Sequence, residues 1–578
     1  MLTSRWLFLQ LIALCVVAPT WAAPLSPARQ VHEEVSPLRE RHSAVIWGDK
    51  TATVEQLHAI LADLDKGLTQ LATPLHRGLA EGDPSLRFRR YHFLNDKAKL
   101  QARLGDRAGA LATLGDMSRM AWLAPSGSGP EGDPDLKPLL EHPAAVGLRA
   151  RYAVGPRFGP VSALKTAYRG QLSAAERLAG LSRIWSAARQ GFVWFDLVPD
   201  LDWDKAYLET IPRVLAARDT KAYYRELIRF TALLKDGHSS VSPPKSLEDH
   251  FYAWPGLTVA RIEGQVLVTK VRDAALARQG LRAGDVVLSI DGLAVDAYAA
   301  RYVTPLQSSS TPQDLELRSY SYMLLAGDAK RAVRLGLRRV DGRRYAVLAR
   351  RSGYTQAPAN ASVAFELRAD GVAVLRAGQF GNDDAAKLLE ANIDAVLQAK
   401  AFVIDLRDND GGSSDYGWML LSWLQRGPIP TPVSQVREDS AYQQARLGPS
   451  AAPLWRDLPQ EPFEMARPKH FDGPVAVLIN AATFSAAEDM AAAFKLMKRG
   501  LIVGVPSGGS TGQPLSIALP GGGSARICVK RDSYPDGSDF VGVGVQPDLV
   551  VAQTVASVRA GADPVLQRAA QALLAPKP

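Results

Sequence analysis

PVAVLINAATFSAAEDMAAAFKLM, residues 474–497, is the stretch whose reading decides the fold. Val475 to Ile479 is an unbroken apolar run of the length of one buried strand. Asn480 to Phe484 supplies a short turn, and from Ser485 onward the Ala-rich composition predicts a helix. Strand, tight turn, serine and helix together place a hydroxyl where the first backbone N–H groups lack partners and the dipole favours negative charge. An attacking alkoxide and the oxyanion it creates are both stabilised in such a place. Serine is also a preferred N-cap, and on this stretch alone the structural cap is the more economical reading.

Working outward, FVIDLRDNDGGSSDYGWMLLSWL (402–424) repeats the strand–turn–helix design. Phe402 to Leu406 reads as an apolar strand. Gly411-Gly412 then allow the backbone to approach a ligand with its N–H groups exposed, a construction suited to an oxyanion hole. A plain strand-to-helix turn explains the pair equally well. LIVGVPSGGSTGQPL (501–515) and PDGSDFVGVGVQPDLVV (535–551) continue the alternation, so residues 360–555 read as α/β. Upstream, residues 170–250 read as helical and end in LLKDGHSSVSPP (233–244). Among nine histidines His238 stands out by its setting, with Gly237 before it, Ser239 after it and Pro243-Pro244 close by. By itself it reads as a histidine on a surface loop. Asp196, Asp200, Asp202 and Asp204 crowd together, but the spacing lacks the Gly and terminal Glu of an EF-hand loop. They read as helix caps and surface, and no metal site is assigned.

Residues 251–350 change character. LTVARIEGQVLVTKV (257–271) alternates as two strands around Glu263-Gly264, and GLRAGDVVLSIDGLAV (280–295) gives turn, strand and turn. SGYTQAPAN (352–360) reads as a linker. Residues 24–150 read as helical, with apolar spacing in Val54–Leu71 and again in Leu94–Arg119, and PSGSGPEG (125–132) reads as a loop.

The 578-residue chain is 47% hydrophobic and 22% charged, which is ordinary for globular protein and excludes a largely disordered one. A formal charge of +9 without a dense basic block leaves no footprint for nucleic acid. Residues 1–22 read as a secretory signal: Arg5 gives the positive start, Trp6–Ala18 is apolar, and Thr20-Trp21-Ala22 offers the cleavage site. Pro19 ends the apolar run too early for a membrane span, and no later segment is apolar enough for one. Past the leader one cysteine remains, Cys528, so no internal disulfide can form. Export without disulfides points to a bacterial periplasm or secretion.

Each site is ambiguous by itself, but their order is not. Asp236-Gly237-His238, Asp405-Leu406-Arg407 with Asn409 and Gly411-Gly412, Thr483–Glu488, and Gly544-Val545 with Pro547-Asp548 together resemble the tail-specific (C-terminal processing) serine peptidase family. The Gly280–Val295 stretch resembles a PDZ domain of the bacterial protease type, and the Leu94–Arg119 spacing resembles a tetratricopeptide-type hairpin. The resemblance implies a multidomain α/β protein. It would have a crotonase-like ββα core, a PDZ-like β domain inserted at 251–350, and a helical N-terminal region.

Carried over residue by residue, the resemblance makes Ser485 the nucleophile. Ala486 and Gly411 or Gly412 become the oxyanion donors, and Gly256 and Leu257 the nearest counterparts of a PDZ peptide-binding loop. Many members place a lysine base in a Gly-Lys-Gly turn after the serine. The corresponding turn here, Val505–Gln513, has none, and Lys495 and Lys498 lie on the serine's own helix. His238 instead fits the tricorn-like branch, which uses a histidine base, and imidazole titrates near neutral pH. The third member stays open. The aligned position is Val541, with Asp536, Asp539, Glu488 and Asp236 as substitutes. The expected chemistry is peptide-bond hydrolysis through an acyl-enzyme on protein or peptide substrates, with no metal or organic cofactor. The competing readings are a non-catalytic peptide- or ligand-binding protein on the same scaffold, and a scaffold whose N-terminal helices recruit a protein partner.

Overall fold

Val475–Ile479 is a strand whose every residue is buried, and that burial on both faces dictates the architecture around it. A computed structural model describes residues 27–576 apart from 49–50, 83, 120–129, 131, 153–163, 355–362, 439–444, 447, 449–453 and 459–462. The leader expected at residues 1–22 lies outside the described residues, as do most of the loop at 125–132 and of the linker at 352–360.

Val475–Ile479 sits in a six-stranded sheet ordered Ala364–Leu367, Val372–Arg376, Ala401–Asp405, Val475–Ile479, Leu501–Gly504, Leu549–Val550. The first pair is antiparallel and the rest are parallel. Side chains alternate between faces with period two. Val475, Val477 and Ile479 join Phe402 and Ile404 in the main core beneath the helix Ala486–Met497. Ala476 and Leu478 join Val403 and the C-terminal helix Pro564–Leu574 on the other face. The sheet is therefore covered by helix on both sides.

The helices Ala174–Gly191, Trp203–Leu215 and Thr220–Ala232 start where side-chain oxygens of Ser173, Asp202 and Asp219 accept from backbone N–H groups three residues on. Their apolar faces enter the same core as the sheet, so residues 170–250 and the α/β segment fold around one interior. Asp202 is thus a helix cap. Asp196 pairs with Arg531 and Asp204 receives the Trp185 indole, as capping and surface carboxylates do.

Beyond Thr220–Ala232 the chain turns at Lys235, whose φ of 46° is strained for a residue with a side chain. It passes His238 and enters the short strand Ser240–Ser242. That strand pairs antiparallel with Ser524–Cys528, which pairs in turn with Pro514–Ala518. This ladder ties the histidine-bearing turn to sequence nearly three hundred residues later.

Residues 257–349 form a separate antiparallel sheet with its own hydrophobic cluster. Leu257–Ile262 and Gln265–Val271 are joined by Glu263 and Gly264, both at positive φ, the conformation of a two-residue hairpin turn. Trp254–Pro255 pairs with Arg351–Ser352, so the chain enters and leaves this unit side by side. Toward the N-terminus, Pro84–Arg103 and Arg107–Ser118 make a helical hairpin turned at Gly105 (φ 76°) and capped by Asp106. Among the described residues no helix is long and apolar enough to cross a membrane.

Phe494 is fully buried under the sheet. Phe494→Ala is expected to cost about 3–5 kcal/mol through lost burial and a residual cavity. A thermal or urea titration followed by tryptophan fluorescence measures it.

Candidate active site

Ser485 ends the turn after the central strand with φ 58° and ψ −127°, a sparsely populated conformation for serine. It opens the helix Ala486–Met497 in a capping-box arrangement with Glu488. The backbone is held as well. Its N–H donates to Ser510 O at 3.1 Å and to Glu488 Oε2 at 3.3 Å. Gly411 lies so close that a Cβ there would meet Ser485 Cβ at 2.7 Å, which makes glycine obligatory at that φ of 101°.

His238 Nε2 lies 3.0 Å from Ser485 Oγ across 247 residues of sequence. Nδ1, on the opposite side of the ring, is 2.9 Å from Ser510 Oγ. Ser510 Oγ in turn reaches Asp236 Oδ1 at 3.4 Å. Asp236 Oδ2 accepts from Ser239 Oγ at 2.6 Å, and Ser239 accepts from the Cys528 N–H, so that hydroxyl proton points to the carboxylate. With Asp236 an acceptor, Ser510 directs its proton there and accepts from Nδ1–H. Nε2 is then left with its lone pair toward Ser485. Phe484 stacks on the imidazole, with ring centroids 4.8 Å apart at 14°, and fixes its plane.

Burial pushes the His238 pKa down to about 3, assisted by the charges of Arg526, Arg318 and Lys530. The ring is therefore neutral over the ordinary pH range. Burial pushes the Asp236 carboxyl up, while Ser239, the His238 N–H and Arg318 pull it back.

Glu488 is wholly buried one turn into the helix. Its Oε1 accepts from Ser507 Oγ (2.6 Å) and Gly509 N–H (2.7 Å), and Oε2 from Ser510 N–H (2.8 Å). Burial raises its pKa to about 8 against the pull of those donors. Glu488 thus shapes the 507–510 turn and does not touch the imidazole. Next to it, Asp489 accepts from Thr511 and Ser414.

The other residues proposed for the third position lie elsewhere. Asp536 is exposed and bonded to Ser538, and Asp539 pairs with Arg531. Val541 is buried and apolar. The group on Nδ1 is Ser510, which the sequence reading missed. The turn that holds it, Val505–Gln513, carries two serines and no lysine, and nothing local singles out Ser510 from Ser507. Of the two glycines, Gly411 donates its N–H to Asn409 Oδ1 at 2.9 Å. Among the described residues the N–H groups of Gly412 and Ala486 have no partner. Gly412 packs against the backbone of Phe380, where a Cβ would lie 1.8 Å from the carbonyl oxygen. Lys495 faces outward to Gln546 O. Gly256 and Leu257 border a separate cavity of about 370 Å³ that also takes in Arg272 and Arg350.

Residues 371–551 match the model of peptidase family S41. The Carboxy-terminal-processing protease of Bartonella bacilliformis is 30% identical over 168 residues, 29% of this chain and 34% of that protein. Carboxyl-terminal-processing peptidase 2, chloroplastic, of Arabidopsis thaliana is 29% identical over 170 residues, 29% of each chain. The chain thus spans about a third of the length of these curated relatives. The solved structure of mature CPAF complexed with lactacystin superposes with a TM-score of 0.54 at 17% identity, covering 69% of this chain and 97% of that one, a likeness of fold.

Two outcomes follow from this geometry. Ser510→Ala should lower kcat about 10- to 100-fold with little change in KM, because the imidazole loses the partner that sets its tautomer. With burial pushing the His238 pKa down to about 3, the imidazole stays unprotonated until the medium is strongly acid. The acid limb of a kcat/KM–pH profile should therefore fall well below the ordinary histidine value of about 6.5.

Proposed function

We propose that the protein is a serine endopeptidase acting through a Ser485 acyl-enzyme with His238 as general base, a reading that starts from the match of residues 371–551 to the model of peptidase family S41. The observation that carries the reading is the 3.0 Å contact between His238 Nε2 and Ser485 Oγ, made with a neutral, buried ring. In this reading His238 takes the Ser485 proton as Oγ attacks the scissile carbonyl. The N–H groups of Ala486 and Gly412 receive the oxyanion at the positive end of the helix dipole. The proton passes from Nε2 to the leaving amine, and water then enters by the same route in reverse to release the acyl group. Ser510, backed by Asp236, is a positioning residue that keeps the lone pair on Nε2.

Substrates are proteins or peptides. The finer architecture is part of the same proposal: a crotonase-like core at 360–555, a PDZ-like unit at 251–350 and a tetratricopeptide-like helical region at 24–150. The two-residue hairpin at Glu263-Gly264 and the side-by-side entry and exit of the unit support an inserted β domain. Peptide binding by Gly256 and Leu257 is supported by the cavity they border. The leader-like residues 1–22 support export to the periplasm or beyond.

A fluorophosphonate probe should label the wild-type protein on Ser485 and leave Ser485→Ala unlabelled. His238→Ala should lose roughly 10⁴-fold or more in kcat on a susceptible peptide. A wild-type protein that neither reacts with the probe nor cleaves a varied peptide library would overturn the reading in favour of a binding protein.

A further inference from the structure

The segment Ser308–Arg318 belongs to the antiparallel unit, yet its side chains go to the loops of the site. Ser308 Oγ accepts from the Asp236 N–H at 3.0 Å and donates to Asp236 O at 2.8 Å. Ser310 Oγ accepts from the Gly237 N–H at 3.1 Å. Thr311 Oγ1 donates to Gly508 O at 2.7 Å, and Gln313 Nε2 donates to Ser507 O at 3.0 Å and to Val543 O at 2.9 Å. Arg318, held by Asp314 at 2.7 Å, lies over the Phe484 ring that stacks on His238. One short segment therefore grips the turn that carries His238 and the turn that carries Ser510.

The turns need this grip. Asp236 is buried and follows the strained Lys235, and Gly509 sits at φ 73° where a Cβ would meet Thr311 Cγ2 at 2.3 Å. The N–H groups of Asp236 and Gly237 are satisfied by hydroxyls 72 and 73 residues further along. A buried donor left unpaired is strongly unfavourable, so without these serines the turn would relax toward water. The segment is in turn fastened to its own unit, where Arg261 pairs with Glu316 and lies over Tyr320.

We propose that Ser308, Ser310 and Thr311 are positioning residues that set the distance and angle between the His238 ring and Ser510 from outside the α/β core. This rests on the reading of Ser485 and His238 as the reacting pair. Small displacements of a base cost large factors in rate, so the effect should be selective for kcat.

The test uses the full chain with Ser308→Ala/Ser310→Ala, and with Thr311→Val beside its conservative partner Thr311→Ser. The expected result for the double variant and for Thr311→Val is a kcat about 10- to 100-fold lower with KM within about twofold. The acid limb of kcat/KM should move up toward about 6.5 as water reaches the ring, and Thr311→Ser should keep wild-type behaviour. A second readout does not depend on turnover: carbethoxylation of His238 by diethyl pyrocarbonate, followed by peptide mass spectrometry, should be faster in the double variant. Unchanged kcat, pH limb and modification rate overturn the proposal, even if the melting midpoint falls, since that marks a role in folding alone. If the wild-type protein reacts with no serine probe and cleaves nothing, the peptidase reading fails. The modification rates then still decide whether this segment holds His238.

Discussion

Ser510 touches both halves of the site. Its carbonyl oxygen accepts from the Ser485 N–H, and its hydroxyl meets His238 Nδ1. The Ser485 backbone and the far edge of the His238 ring are therefore referred to one residue, and the 3.0 Å contact between Ser485 and His238 follows from that common attachment. Ser510 is itself fixed through its N–H by Glu488, a side chain on the helix that Ser485 opens. The loop of connections is closed: helix to carboxylate, carboxylate to turn, turn to serine and to imidazole. In an interior with little water each of these bonds resists loss strongly, because the partner left behind would be unsatisfied.

Such a site stores unfavourable terms that the surrounding core must offset. Ser485 is held at positive φ, and Glu488 and Asp236 are carboxylates without solvent. The alternating faces of the central sheet provide that support. Val477 and Ile479 pack under the helix that begins after Ser485, while Leu478 packs on the opposite layer. The strand cannot slide by one residue without exchanging its two sets of contacts, so the turn that aims the hydroxyl is fixed in register.

How much of this was legible in the sequence depended on how far each signal reaches. The strand–turn–helix around Ser485 and the hairpin at Glu263-Gly264 are written in local spacing and in residues that tolerate positive φ, and the structure has both. The approach of His238 to Ser485 could be expected only from the order of motifs across the whole chain, since a ladder between Ser240–Ser242 and Ser524–Cys528 leaves no periodic trace. Ser510 was out of reach because its partner is a side chain 272 residues away, and nothing local separates it from the other serines of a Gly-rich turn. Asp536 and Asp539 attracted notice as carboxylates near the expected place, but solvent and Arg531 satisfy them. The choice between Gly411 and Gly412 depended on Asn409 occupying one N–H, which spacing cannot reveal.

The distance along the chain between these parts has a temporal meaning. A polypeptide made from its N-terminus presents His238 long before Ser485, and Ser485 before Ser510. Until residue 510 has been made, the imidazole lacks both the Ser485 hydroxyl at Nε2 and the Ser510 hydroxyl at Nδ1. The 230s turn and the 480s turn can therefore be joined only late in synthesis, once Ser524–Cys528 is available to pair with Ser240–Ser242.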